Sequence, residues 1–135
     1  MRCADEISLN FLTPTRIKVE GDLISKPEFH ILVRALLHRI SAFFYFYAQK
    51  ELALDYNLLI SQAERITINK SNLRWVDWER YSARQDTRMK LGGFMGRATC
   101  KGDFKEVSPL VWLGQYTHLG KNCTFGLGKY EIAGV

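Results

Sequence analysis

The sequence has no run of about 18 apolar residues, so nothing in it is built to cross a bilayer as a helix. Its start, MRCADEISL, lacks the apolar stretch of a secretory signal. Cysteine is scarce and scattered: Cys3, Cys100 and Cys123 are odd in number and form no CxxC pair. That argues against a disulfide framework or a zinc site and makes a reducing cytoplasm the expected compartment. The only histidines are His30, His38 and His118. His30 and His38 stand two helical turns apart, too far to chelate a metal as a pair one turn apart does. No cluster of carboxylates, Cys and His has metal-ligand spacing, so no metal and no cofactor is expected. Repeats, low-complexity tracts and linkers are also missing, which points to one domain over residues 1–135.

Acidic residues are absent from one conspicuous stretch, HLGKNCTFGLGKY at residues 118–130. It is not a P-loop, because Cys123 stands where the first glycine belongs and Tyr130 follows Gly128-Lys129. Nor is it a dinucleotide fingerprint, because Glu131 takes the third glycine's place. Two readings remain. It could be a helix C-cap and turn with two solvated lysines. Alternatively, its bare backbone N–H groups, with Lys121 and Lys129, receive an anion. The whole chain carries 19 Lys and Arg against 14 Asp and Glu, a net charge of +5. That modest excess fits a polyanionic partner.

What is present in quantity is apolar patterning. In ISLNFLTPTRIK, Ile7, Leu9 and Phe11 alternate with polar residues, predicting a half-buried strand that Thr13-Pro14 ends. Gly21-Asp22 marks a turn. In KPEFHILVRALLHRISAFFYFYAQKEL, the residues Phe29, Leu32, Val33, Leu36, Leu37, Ile40, Phe43, Phe44 and Tyr47 follow helical spacing. Ser25 is the expected N-cap and Pro27 the first-turn residue. His30, Arg34, His38, Ser41 and Tyr45 form the opposite stripe, solvated or facing another domain. The segment from Leu58 to Gln85 reads as a short connection followed by a strand. MKLGGFMGRATCKG reads as its hairpin partner, with SARQDT at the bend. Gly92, Gly93 and Gly96 predict a bulge or a close backbone approach. Asp103 is the expected cap of a second helix that Gly120 ends, with Pro109 kinking or restarting it. CTFGLGKYEIAGV closes as a strand. The order is strand, helix, strand, strand, helix, strand. It predicts an α+β, ferredoxin-like βαββαβ fold with an antiparallel sheet and two helices on one face.

WVDWERYSARQDTRMKLGGFMG, followed by HLGKNCTFGLGKY and preceded by FLTPTRIK, resembles the C-terminal part of the CRISPR pre-crRNA-processing endoribonucleases of the RAMP superfamily. The resemblance runs from about Leu9 to Ile132 and implies RRM-related ferredoxin-like domains. It implies binding of CRISPR repeat RNA and metal-independent cleavage within the repeat. In that reaction a 2′-hydroxyl attacks the adjacent phosphate and leaves a 2′,3′-cyclic phosphate. The RNA-binding residues it implies are Gly120, Lys121, Asn122, Thr124, Gly126, Gly128 and Lys129 in the loop, with Arg80, Arg84, Arg88 and Lys90 on the hairpin. The alternative for the hairpin is a solvated face with local ion pairs. Trp75, Trp78 and Tyr81 are candidates for base stacking or for burial. His118 is the best local candidate for an acid or base, although a helix-end histidine also suits the dipole. Family members typically carry two tandem domains and this chain has room for one, so it is expected to be the C-terminal half. The alternatives are a non-catalytic RAMP-type RNA-binding subunit of a CRISPR effector complex and a ferredoxin-like oligomerising domain without nucleic acid; other effector subunits and a second copy of the chain are the further partners. AFFYFY is expected to leave an apolar surface where the other domain would sit, which self-association would bury.

Overall fold

A computed structural model describes residues 6–48, 55–77, 79–82, 87–90, 92–120 and 126–133. Strand β1 (Glu6–Thr15) buries Ile7, Leu9 and Phe11 on one face, as the period of two requires. It continues through Pro14, past the expected end. The proline is accommodated because the register with its neighbour shifts between Phe11 and Thr15. Two short strands, β2 (Lys18–Val19) and β3 (Asp22–Leu23), flank the expected turn, where Glu20 and Gly21 both take positive φ.

Helix α1 (Phe29–Ala48) follows. Phe29, Leu32, Val33, Leu36, Leu37 and Ile40 are all buried, at the spacing the sequence predicts. Its start differs from expectation: the Glu28 carbonyl accepts from both Ile31 and Leu32, and Ser25 lies in a bend ahead of it. The side chains of AFFYFY beyond Ala42 fall outside the described residues.

The segment expected as a connection contains a third helix, α2 (Tyr56–Glu64). Asp55 caps it by accepting the Leu58 N–H, and Leu59 and Ala63 are its buried residues. Strand β4 (Thr67–Val76) then pairs with β7 (Gly93–Lys101), from Thr67 opposite Lys101 to Val76 opposite Gly93. The same hairpin continues outward as β5 (Glu79–Ser82) and β6 (Thr87–Lys90), which pair with each other. Helix α3 (Ser108–Thr117) starts later than expected. Asp103 caps only the preceding turn through the Lys105 N–H, and Pro109 lies in the first helical turn, where its missing N–H has no partner to lose. Strand β8 (Tyr130–Ala133) closes the chain against β1.

The four-stranded sheet runs β4-β7-β1-β8, all neighbours antiparallel, in the predicted ferredoxin-like order. One continuous core lies between its inner face and the helices. Phe11 meets Phe94 edge-on at 5.1 Å, and Phe29 meets Phe104 at 5.7 Å. The other face carries no described helix. By register it presents Glu6, Ser8 and Asn10 from β1, Lys70, Asn72 and Arg74 from β4, Arg97, Thr99 and Lys101 from β7, and Glu131 from β8.

Candidate nucleic-acid interface

The glycine-rich loop hangs from two fully buried leucines, Leu119 and Leu127. The two ends of the loop meet beside them: the Leu119 N–H donates to the Gly128 carbonyl at 2.9 Å. The loop base is then fastened to the end of β1. Gly128 N–H donates to the Pro14 carbonyl at 3.0 Å, Lys129 N–H to the Thr13 hydroxyl at 2.9 Å, and Leu12 N–H to the Lys129 carbonyl at 2.8 Å. Thr13 and Pro14 of FLTPTRIK thus build the loop's seat, a role that the sequence reading did not assign them. Arg16 also belongs to this corner. Its guanidinium donates to the Gly92 carbonyl at 2.7 Å and ties the end of β1 to the entry of β7. The TPTR motif in the sequence was the available signal for all three.

Gly120, Gly126 and Gly128 all take positive φ. A Cβ on Gly120 would strike the Arg16 carbonyl, and one on Gly128 would strike the Leu119 carbonyl. At Gly126 a Cβ would meet nothing within 4 Å, so only its φ of 86° calls for glycine there. Lys129 is exposed at the loop's end, while Lys121, Asn122 and Thr124 lie outside the described residues.

His118 links α3 to this loop. It sits at φ 65° and ψ 177°, a region otherwise held almost only by glycine. Its backbone N–H bonds to the Gly114 carbonyl, and its ring Nδ1 lies 3.1 Å from the Leu127 carbonyl. A carbonyl can only accept, so Nδ1 carries the proton. In the neutral ring Nε2 then keeps its lone pair.

The helix-free sheet face adds charge. Lys70, Arg74, Arg97 and Lys101 are exposed on it. A shallow groove of about 400 Å³ crosses it, and its lining includes Glu6, Ser8, Lys70, Asn72, Arg97 and Thr99. The Ser8 and Thr99 hydroxyls hydrogen-bond across its floor at 3.0 Å. Among the described residues this face carries no aromatic ring.

On the hairpin, Arg88 pairs in register with Tyr81, Lys90 with Glu79 and Arg80 with Met89. The side chains there, and Arg84 and Trp78 altogether, fall outside the described residues. Trp75 is 41% exposed, with its indole N–H donated to Asp77 at 2.9 Å. His38 is exposed on the outer side of α1, and His30 lies 3.3 Å from the Glu28 carboxylate. Neither histidine belongs to the loop corner. Among the described residues, no three His, Cys, Asp or Glu are grouped to hold a metal ion, and no helix is long and apolar enough to cross a membrane.

An antiparallel sheet in this order, with helices on one face and cations on the other, defines a ferredoxin-like domain. The sequence profile of the CRISPR-associated endoribonuclease Cas6 family matches residues 9–130, and the chain belongs to that family. No curated protein matches it significantly. Among solved structures it resembles a Cas6 from Thermus thermophilus, with a TM-score of 0.74 and 17% identity over 97% of this chain and 54% of that one. It also resembles a Cas6 product complex, with a TM-score of 0.69 and 21% identity over 99% of this chain and 55% of that one. A third match is a partial Cas6-RT-Cas1–Cas2 complex, with a TM-score of 0.63 and 22% identity over 94% of this chain and 22% of that one. The chain therefore spans about half the length of the first two.

Proposed function

We propose that this domain grips CRISPR repeat RNA as the C-terminal half of a metal-independent pre-crRNA-processing endoribonuclease. The observation that carries the reading is the loop corner: a glycine-rich backbone pinned at Leu119 and Leu127 and fastened to TPTR, in a chain of the Cas6 family. A base fixed by hydrogen bonds leaves less chain to order when a phosphate binds, which lowers the cost of receiving it. Lys121 and Lys129 supply point charges beside it, and the cations of the open sheet face give the RNA a second surface to follow. Structures of Cas6 with product and with a substrate mimic support this ligand class. The Cas6-RT-Cas1–Cas2 complexes support other CRISPR proteins as further partners of the whole protein.

In the proposed reaction a base removes the 2′-hydroxyl proton and the oxygen attacks the adjacent phosphorus. The bond to the 5′-oxygen breaks, and an acid returns a proton to that leaving oxygen. The products are a 2′,3′-cyclic phosphate and a 5′-hydroxyl. This half contributes charge stabilisation of the phosphate, and His118 is the described histidine in the corner.

The test is RNA affinity against salt. Lys121→Ala with Lys129→Ala should weaken repeat-RNA binding by about 1–3 kcal/mol and flatten the salt slope. Wild-type affinity and slope in that variant would remove the loop from the binding surface.

A further inference from the structure

Helix α3 turns Leu110, Val111 and Gly114 inward, with Gly114 set against Tyr130 and Leu36. Its outer side carries Trp112 at 51%, Leu113 at 38% and Tyr116 at 71% exposure. Trp112 and Tyr116 are four residues apart, so they stand on one face of the helix about one turn from each other. Two large rings side by side in water on a short helix make a patch of the size that is often functional.

Size and position together narrow the choice. At these exposures the patch offers on the order of 400 Å². A stable dimer or globular partner buries about 800 Å² on each side. A narrower ligand is already enough to cover these three side chains. Directly beyond Tyr116, the Thr117 carbonyl accepts from Arg39 Nε at 3.1 Å, so a guanidinium offsets the negative end of the helix. His118 comes next and opens the glycine-rich loop. The described base of that loop thus adjoins a compensated helix end, with the two exposed rings further back along α3. The helix-free sheet face, by contrast, offers no described aromatic for bases.

We propose that Trp112 and Tyr116 form a stacking platform for bases of single-stranded RNA that extends from the glycine-rich loop along the outside of α3. The proposal rests on the RNA-binding reading of that loop. Stacking suits this site because every base has a π-face, which makes the contact tolerant of sequence.

The test uses the 135-residue chain with a fluorescein-labelled single-stranded RNA of about ten nucleotides and an abasic analogue of equal charge. Wild type should bind the abasic strand at least about fivefold more weakly than the RNA. Trp112→Leu with Tyr116→Leu should bind both strands alike, because leucine keeps the apolar surface and loses the π-face. Tyr116→Phe should keep the wild-type preference. Lys129→Ala should weaken both strands equally, through phosphate. Undiminished base preference in the double leucine variant would overturn the platform and leave RNA binding by the loop intact. If wild type binds neither strand, the RNA-binding reading falls and the platform with it. Self-association in sedimentation that Trp112→Leu with Tyr116→Leu abolishes, at unchanged RNA affinity, would assign the patch to a second copy and overturn the proposal.

Discussion

Gly128 and Gly126 share a sign of φ, but different constraints hold them. A Cβ at Gly128 runs into backbone that hydrogen bonds fix in place, and one at Gly126 enters open space. Gly128→Ala should therefore cost more than 2 kcal/mol of stability, and Gly126→Ala about 1 kcal/mol. Urea melts of the two variants check the order, and equal losses would refute it. His118 offers a sharper case. Its φ and ψ cost a non-glycine residue about 1–3 kcal/mol, partly offset by the ring bond to Leu127. His118→Ala keeps the strain and loses the bond, while His118→Gly relieves the strain. The glycine variant should be the more stable of the two by about 1 kcal/mol or more. Residue-level pattern exposed the loop but not this strain. Nothing in HLGK says that the histidine, rather than Gly120, ends the helix. Cys100 carries a different signal. Burial pushes its thiol from 9.0 up to about 12, and burial also raises Tyr130. The unfolded chain then gives up these protons first as pH rises, so stability is full below about pH 9 and declines above it. Cys100→Ala should flatten the first part of that decline in thermal melts between pH 9 and 10.

At the scale of elements, the seam between α3 and β8 decides whether the loop has a rigid frame. The Tyr130 hydroxyl donates to the Val111 carbonyl at 2.7 Å, directly over Gly114. Gln115 reaches the outer edge of β8 and accepts the Ile132 N–H at 2.9 Å, which covers part of an otherwise open strand edge. Gly114→Ala improves intrinsic helix propensity by about 1 kcal/mol, yet its methyl group would enter the space of the Tyr130 hydroxyl and Leu36. The net result should be a loss of about 1–3 kcal/mol, read from chemical denaturation. Stabilisation by that substitution would show that the seam repacks freely. The elements differ in how legible they were. Helix α1 and the β4–β7 pair announce themselves through sustained spacing and paired turn signals. Helix α2 does not, because it buries only Leu59 and Ala63 over nine residues. That is too narrow a stripe to stand out, although Asp55 was a readable cap. The start of α3 was misplaced because Asp103 satisfies a turn instead of the helix. The open sheet face was not singled out, because its four cations come from β4 and β7, far apart in sequence, and gather only through register.

For the molecule as a whole, the proposed division of labour between this domain and a second half can be tested by chemistry. Cleavage of RNA at a 2′-hydroxyl needs a group to take one proton and a group to give another. Here His118 stands at the loop corner with Nδ1 committed to Leu127, while His38 lies on the outer side of α1. The Cas6 chains it resembles are about twice as long. The 135-residue chain alone should therefore bind repeat RNA and leave it uncut, while joining it to a second ferredoxin-like half should yield cleavage. That activity should persist in EDTA, because the proposed step draws on a positioned 2′-hydroxyl and on cationic side chains for charge stabilisation. A single 2′-deoxy substitution at the scissile nucleotide should abolish cutting and leave affinity nearly unchanged, since it removes the nucleophile and no phosphate. Gel assays with the paired substrates read both properties at once. Cleavage of the deoxy substrate, or a strict need for a divalent ion, would show that the attacking oxygen is not the 2′-hydroxyl or that the charge stabilisation is not supplied by side chains. Cutting by the 135-residue chain alone would place both proton-transfer groups on the elements described here, with His118 the first to be substituted.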